Sequence, residues 1–320
     1  MKGVFLDTAS MGEGLDQRAL ESSLEQFVSY ETTAPEEVRA RIQGFDVVIV
    51  NKVVLRKEEI SSNPKLKLIA VTATGTNNID LQAAEQAGVR VCNVTKYGRP
   101  AIVQHTFSLL LALTNRLLDY SRDVQNGRWC SSPIFCLMDY PIVELEGKTL
   151  GLIGYGDLGQ GVAKMAEAFG MKVLIGARPG QSLQRVDGYP RLPLDELLPE
   201  IDVLSIHCLL SDETLNLIDR QALSKMKSSA YLLNLARGGI VNELALADAL
   251  KEGRLAGAAT DVLSVEPPKD GNILMDREIP NLIITPHCAW ASREARQRLL
   301  DKAAENIRRF VAQEEQAYIV

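Results

Sequence analysis

The sequence predicts an α/β protein built from two doubly wound parallel-sheet domains, and three observations lead there. Short apolar runs alternate with helical patterns along almost the whole chain, the order that a parallel sheet with crossover helices requires. A glycine-rich turn, G-Y-G-D-L-G, separates one such run from one such pattern near the middle. The length of 320 residues and an apolar content of 46% suffice for two buried cores.

The first half supplies strand candidates at Val4–Leu6, Asp46–Val50, Leu68–Thr72 and Val89–Val91, separated by helical patterns such as Glu36–Ile42 and Leu81–Ala87. Tyr97-Gly98-Arg99-Pro100 is turn-prone and marks a hinge. Ala101–Asp119 then reads as one long helix. Its apolar residues, Val103, Phe107, Leu110, Leu111 and Leu117, are too many for a narrow stripe, so wide burial or a subunit interface is expected. Ser121–Glu146 has weak periodicity and exposed-looking aromatics, Phe135 and Tyr140, as a loop or dimer arm would. Strand candidates resume at Lys148–Ile153, Lys172–Ile175, Asp202–His207, Tyr231–Asn234, Ala256–Asp261 and Leu282–Thr285, a six-stranded set with helices near Leu194–Leu198, Asp219–Met226 and Glu243–Leu250. Arg293–Gln313 closes the chain as a charged amphipathic helix that is expected to return to the first domain. Residues 1–98 plus 291–320 then form one domain, with 99–290 inserted in it.

Within Gly151–Gly170, Leu158, Val162, Met165, Ala166 and Phe169 recur at helical spacing directly after the glycine turn. A lone G-x-G-x-x-G is a weak signal, but between a strand and a helix it has a mechanism. Gly154 permits the sharp turn, Gly156 lets the backbone approach a pyrophosphate, and Gly159 lets the helix pack closely on its strand. Gly154, Gly156, Asp157, Leu158 and Gly159 are therefore predicted to meet a dinucleotide at the helix N-terminus, where unpaired N–H groups attract phosphate. This makes the inserted unit a Rossmann cofactor domain and the discontinuous unit a flavodoxin-like substrate domain. An ordinary glycine-rich βα turn is the alternative.

Composition excludes other classes. A net charge of −6 without a basic block argues against nucleic acid as a partner. The five cysteines are odd in number and form no C-x-x-C pair, so neither a disulfide frame nor a metal site is signalled, and a reducing cytoplasm fits. No signal segment precedes the apparent first strand, and no run approaches the roughly 18 apolar residues of a membrane span.

Three histidines carry the acid–base candidates. His105 lies in the apolar helix and reads as a core or interface residue. His207 ends a strand and is placed beside the cofactor. His287 follows the strand candidate Leu282–Thr285, and an imidazole titrates unperturbed near neutral pH, so it is the best general acid. Arg237, in N-L-A-R-G-G, offers a fixed fork suited to a carboxylate, and Glu266, before Pro267-Pro268, can pair with His287. Either charge alone can equally be solvated; their placement after successive strands favours a shared site.

N-L-A-R-G-G-I-V-N-E at Asn234–Glu243, A-T-D-V-L-S-V-E-P-P at Ala259–Pro268 and T-P-H-C-A-W-A-S at Thr285–Ser292 resemble the three signature segments of the D-isomer-specific 2-hydroxyacid dehydrogenases. The likeness spans nearly the whole chain. Val71–Asp80, Val91–Gly98 and Phe135–Gly151 are similar to the family's bacterial glycerate dehydrogenases, or hydroxypyruvate reductases. The resemblance implies that Arg237 binds and polarises a 2-keto acid, His287 donates the proton, Glu266 orients and charges His287, and Asp261 holds the nicotinamide carboxamide. It implies a carboxylate cradle at Thr74 and Gly75, and cofactor contacts from Val103, Cys208, Thr214, Leu235 and Ala236. Lys52, with Asn51, is placed toward the substrate's hydroxymethyl end, although a solvated lysine is an open alternative. Leu209 departs from a proline common in relatives.

Cofactor choice is read from the residues past the glycines. An acid about 20 positions on would grip the ribose 2′-hydroxyl of NAD, whereas an arginine accommodates the 2′-phosphate of NADP. Lys172–Ile175 is followed by Gly176-Ala177-Arg178, with no acid. NADP is therefore expected to be preferred, with NAD as a second cofactor, unless Arg178 only stacks on adenine or is solvated. The expectation is a homodimeric enzyme that reduces hydroxypyruvate or glyoxylate to D-glycerate or glycolate after its domains close. Phosphoglycerate dehydrogenase chemistry, or a cofactor-sensing corepressor-like scaffold, is the rival reading.

Overall fold

Strands whose residues are buried on both faces form the two sheets, as parallel strands covered by helices must. A computed structural model describes every residue of the chain except Pro179. It divides into Met1–Gly98 with Ala291–Val320, and Arg99–Trp290.

In the discontinuous unit, β1 (Lys2–Phe5), β2 (Gln26–Ser29), β3 (Val47–Val50), β4 (Leu68–Val71) and β5 (Arg90–Cys92) make a five-stranded parallel sheet in the order β2-β1-β3-β4-β5. Four of these match runs expected from sequence. The edge strand β2 does not, because Q-F-V-S is only partly buried and carries no continuous apolar signal. The strand order reverses between β1 and β3, and open sheets of this kind bind ligands at the carboxyl ends beside such a switch point. Asp7, just past β1, accepts the backbone N–H groups of Asn51 (2.8 Å), Lys52 (2.6 Å) and Val53 (3.0 Å), which fixes the loop leaving β3. Helix Arg293–Val311 belongs to this unit and buries Ala295, Leu299, Leu300, Ala303, Ala304 and Ile307. Beyond it the chain end lies along β5, with the Ile319 N–H on the Val91 carbonyl at 2.7 Å.

In the continuous unit, β6 (Thr149–Ile153), β7 (Lys172–Gly176), β8 (Arg191–Leu192), β9 (Val203–Ile206), β10 (Tyr231–Asn234), β11 (Gly257–Thr260) and β12 (Leu282–Ile284) form a parallel sheet in the order β12-β11-β10-β9-β6-β7-β8. The sheet has seven strands where sequence reading finds six. The addition is β8, a two-residue strand too short to leave a periodic trace. The switch point lies between β6 and β9, where the glycine turn leaves β6.

Two further differences are local. Ala101–Asp119 is not one helix: it runs Arg99–Thr114 and restarts at Leu117, because Arg116 adopts a left-handed backbone with φ of 51°. The helix Asp157–Ala168 presents Gly159, Val162, Ala163 and Ala166 to its core, while Met165 points outward and Phe169 stacks on Phe107 with ring centroids 5.3 Å apart. Among the described residues no helix is long and apolar enough to cross a membrane.

The glycine turn closes on itself so tightly that a Cβ at Gly159 would stand 2.1 Å from the Gly154 carbonyl oxygen. Backbone cannot yield as a flexible side chain can. Gly159→Ala is therefore expected to destabilise the protein by about 3 kcal/mol or to prevent folding, read as a lowered urea midpoint.

Candidate active site

Neighbouring parallel strands β10, β11 and β12 end at one sheet edge, and Arg237, Asp261 and His287 follow them in turn. Each turn is held by polar contacts. Asn234 closes the first: its Nδ2 donates to the Arg237 carbonyl (2.9 Å) and its Oδ1 accepts the Ala236 N–H (3.1 Å). Arg237 Nη1 donates to the Ala236 carbonyl at 2.7 Å, and the side chain is half-buried.

At the next residue, Gly238, a Cβ would lie 1.9 Å from the Leu263 carbonyl carbon and 2.2 Å from the Ser264 nitrogen. The turn bearing Arg237 thus rests directly on the segment that leads to Glu266. Glu243 ties that segment down, accepting from Ser264 N–H (2.7 Å), Ser264 Oγ (2.8 Å) and Asn272 Nδ2 (2.8 Å). Glu266 Oε1 accepts the Leu263 N–H at 2.8 Å, which leaves Oε2 for His287 Nδ1 at 2.6 Å. The His287 and Glu266 side chains are 27% and 33% exposed, shielded enough for a strong charge-assisted bond and open enough for a reactant. With Nδ1–H given to Glu266, Nε2 is the ring atom left for proton exchange.

Asp261, 2% exposed, accepts the Thr285 hydroxyl (2.6 Å), the Cys288 N–H (2.9 Å) and the Ala289 N–H (2.9 Å), bracketing His287 on both sides. His287 itself has φ of 51°, and its N–H reaches back to the Thr285 carbonyl at 3.0 Å. A left-handed backbone at a non-glycine residue is sterically costly and persists where surrounding contacts impose it.

The glycine turn meets the exit of β9. A Cβ at Gly154, whose φ is 99°, would stand 2.5 Å from the His207 carbonyl carbon, so that backbone passes against the turn. By contrast a Cβ at Gly156 would meet nothing within 4 Å, and the open space there adjoins the first turn of helix Asp157–Ala168. Such a cradle fits a dinucleotide pyrophosphate. Asp157 beside it is paired with Arg99 at 3.4 Å. Leu158 is half-buried, and Val103, Cys208, Leu235 and Ala236 are buried. Arg178 lies two residues past β7, its N–H on Gln181 Oε1 at 3.2 Å. Thr214 is also buried, with its hydroxyl committed to the local turn through Leu209 O (2.8 Å) and Ser211 N–H (2.7 Å).

In the other unit, Thr74 Oγ1 donates to the Val94 carbonyl (2.9 Å) and the Thr74 carbonyl accepts from Asn93 (2.6 Å), fixing the loop that contains half-buried Gly75. Lys52 is exposed. Asn51 departs from its expected place: it is 3% exposed and its amide donates to the Thr72 carbonyl at 2.6 Å, so it joins the ends of β3 and β4. Sequence reasoning did not single out Asp7, Glu243 or Thr285, whose partners come from other parts of the fold.

A separate cavity of about 930 Å³ runs between the Ala112–Arg122 region and the 274–286 segment. It reaches Asp261, Glu266 and His287, but no residue of the glycine turn lines it.

Comparison with known proteins shows which family the chain resembles. Residues 107–289 match the family described as D-isomer specific 2-hydroxyacid dehydrogenase, NAD binding domain. A glycerate dehydrogenase of Methylorubrum extorquens is 44% identical over 97% of this chain and 96% of its own length. A hydroxypyruvate reductase of Blautia hydrogenotrophica is 38% identical over 97% of both chains. The solved NADPH-dependent glyoxylate/hydroxypyruvate reductase of Sinorhizobium meliloti, in complex with NADP and malonate, superposes with a TM-score of 0.83 at 25% identity, covering 100% of this chain and 96% of that one.

His207 generates a pH prediction. Burial lowers its pKa from 6.5 to about 4, its Nε2 lies 2.8 Å from Ser205 Oγ, and its Nδ1 is enclosed without a partner. Between pH 6.5 and 4 the unfolded chain therefore binds the extra proton, so stability falls as the medium is acidified through that window, by up to about 3 kcal/mol. Urea titrations at several pH values should show the slope, and His207→Gln should flatten it.

Proposed function

Because the chain belongs to the D-isomer specific 2-hydroxyacid dehydrogenases, we propose that it reduces a small 2-keto acid, hydroxypyruvate or glyoxylate, to D-glycerate or glycolate, with NADPH preferred to NADH. The observation that carries the reading is the 2.6 Å Glu266–His287 pair on a loop packed against the turn of Arg237.

The nicotinamide, when bound, supplies the hydride that reduces the keto carbon. Gly154, Gly156, Asp157, Leu158 and Gly159 would hold the pyrophosphate, with Val103, His207, Cys208, Leu235 and Ala236 along the cofactor and Asp261 at the carboxamide. Thr214 acts there by shaping its turn. Arg237 takes the substrate carboxylate and draws charge toward the keto oxygen, a task suited to a planar, permanently charged fork. His287 passes its Nε2 proton to that oxygen, and Glu266 stabilises the imidazolium before transfer and orients the ring. Thr74, Gly75 and Lys52 are assigned to the substrate in the discontinuous, substrate-binding unit. Phosphoglycerate dehydrogenase chemistry or a corepressor-like scaffold is the alternative, but a scaffold has no need of an assembled acid–base pair.

The NADPH preference rests on Arg178 and on the missing acid after β7, and the S. meliloti enzyme is NADPH-dependent by its own description. We also infer a cytoplasmic homodimer. The five cysteines are free, and exposed apolar side chains between Leu117 and Ile142, with Phe135 89% exposed, give a copy of the chain something to cover. Sedimentation at micromolar concentration should return twice the 35.1 kDa chain mass.

Oxidation of NADPH and NADH, followed over a panel of 2-keto acids, tests the reading. His287→Gln should lower kcat by about a thousandfold with NADPH affinity retained. Arg178→Ala should cost at least about tenfold in kcat/KM for NADPH and much less for NADH. An absence of turnover with tight cofactor binding would favour the scaffold.

A further inference from the structure

His105 is a half-buried histidine with no part in the proposed chemistry, and its surroundings give it one. It projects from helix Arg99–Thr114, and its Nε2 lies 3.1 Å from Thr285 Oγ1 and 3.8 Å from Asp261 Oδ1. The Thr285 hydroxyl has a single proton. Asp261 Oδ1, 2.6 Å away, is the acceptor for it. The remaining role of the Thr285 oxygen toward His105 is to accept, so His105 carries its proton on Nε2 and donates.

Direction follows from this proton count: His105 to Thr285, Thr285 to Asp261, and Asp261 to the N–H groups of Cys288 and Ala289. The contacts fall on either side of His287, whose left-handed backbone needs outside support. We propose that His105 is a positioning residue, which through Thr285 and Asp261 fixes the 285–289 turn presenting the His287 imidazole. The inference rests on the reading of His287 as the proton donor.

His105, Asp261 and Cys288 also lie close enough together to suggest metal ligands, with donor atoms within 4.8 Å. The protons argue otherwise. Asp261 is occupied by three strong donors, and burial together with the Asp261 charge pushes the Cys288 thiol up, so it stays S–H rather than becoming a thiolate ligand. The cluster is a hydrogen-bond relay that ends on the acid's own loop. Its leverage is geometric, since a small displacement of an acid from its reaction partner costs rate far beyond the energy of the lost bond.

The test compares His105→Phe, which keeps an aromatic ring but no donor, with His105→Gln, whose amide reaches the Nε2 position. The expected result is a kcat lowered about tenfold or more in the Phe variant, with KM for NADPH within about twofold and kcat largely restored in the Gln variant. Amide exchange in the peptide covering 285–290 should quicken by about fivefold in the Phe variant alone. Thr285→Val should match His105→Phe, and the double variant should be no worse than either single one. The proposal is overturned if His105→Phe keeps wild-type kcat and exchange, if Gln rescues neither, or if only the melting temperature changes. A wild-type enzyme inactive on every keto acid would instead refute the underlying function, while the exchange comparison would still judge the relay.

Discussion

Among the described residues all twelve strands belong to parallel sheets, and that constraint organises the candidate site. Parallel pairing sends every strand of a sheet in one direction, so their carboxyl ends share an edge, and neighbouring strands lie only about 4.8 Å apart. Arg237, Asp261 and His287 follow three successive strands of the chain, and each is released at that edge beside its neighbour. Right-handed crossover helices make this the default outcome. The sheet brings the groups close without any residue being selected for the purpose; only their final orientation calls for special contacts.

Those contacts are mostly carboxylates acting on backbone. Asp7 gathers three N–H groups of the loop after β3, Glu243 gathers donors from Ser264 and Asn272, and Asp261 gathers Thr285, Cys288 and Ala289. Loops at an edge open to reactants have little apolar area to bury, so hydrophobic packing cannot define them. An ionised acceptor with several lone pairs can, because charge-assisted bonds are about twice as strong as neutral ones. Glycine contributes from the other side: at Gly159 and Gly238 the absent Cβ lets one backbone rest on another, and the loops become parts of a common framework.

This explains what could be read from the sequence. β3 and β4 are continuous apolar runs, legible because both faces are buried. β2 and β8 lie at sheet edges, where pairing by a neighbour makes a strand from residues with little preference of their own. The break at Arg116 was hidden because its apolar neighbours continue the helical spacing past it. In the site, Arg237, Glu266 and His287 stood out by their chemistry and their place after strands. The positioning contacts of Asn51, Glu243, Thr285 and His105 did not, since each depends on a partner that only folding supplies.

The three histidines show how far environment outweighs residue type. His207 is held neutral by burial, which lowers its pKa to about 4, so near neutral pH it lacks the second ring proton that an imidazolium acid releases. His105 directs its Nε2 proton into the Thr285 hydroxyl and has a structural acceptor where a substrate would have to be. Of the three, His287 has a carboxylate at hydrogen-bond distance from one ring nitrogen, with the other left to exchange. A carboxylate at Nδ1 stabilises the charged ring while fixing its plane, which is what a proton donor to a developing alkoxide needs. The contrast among the chain's three histidines therefore supports the proposal that His287 is the acid.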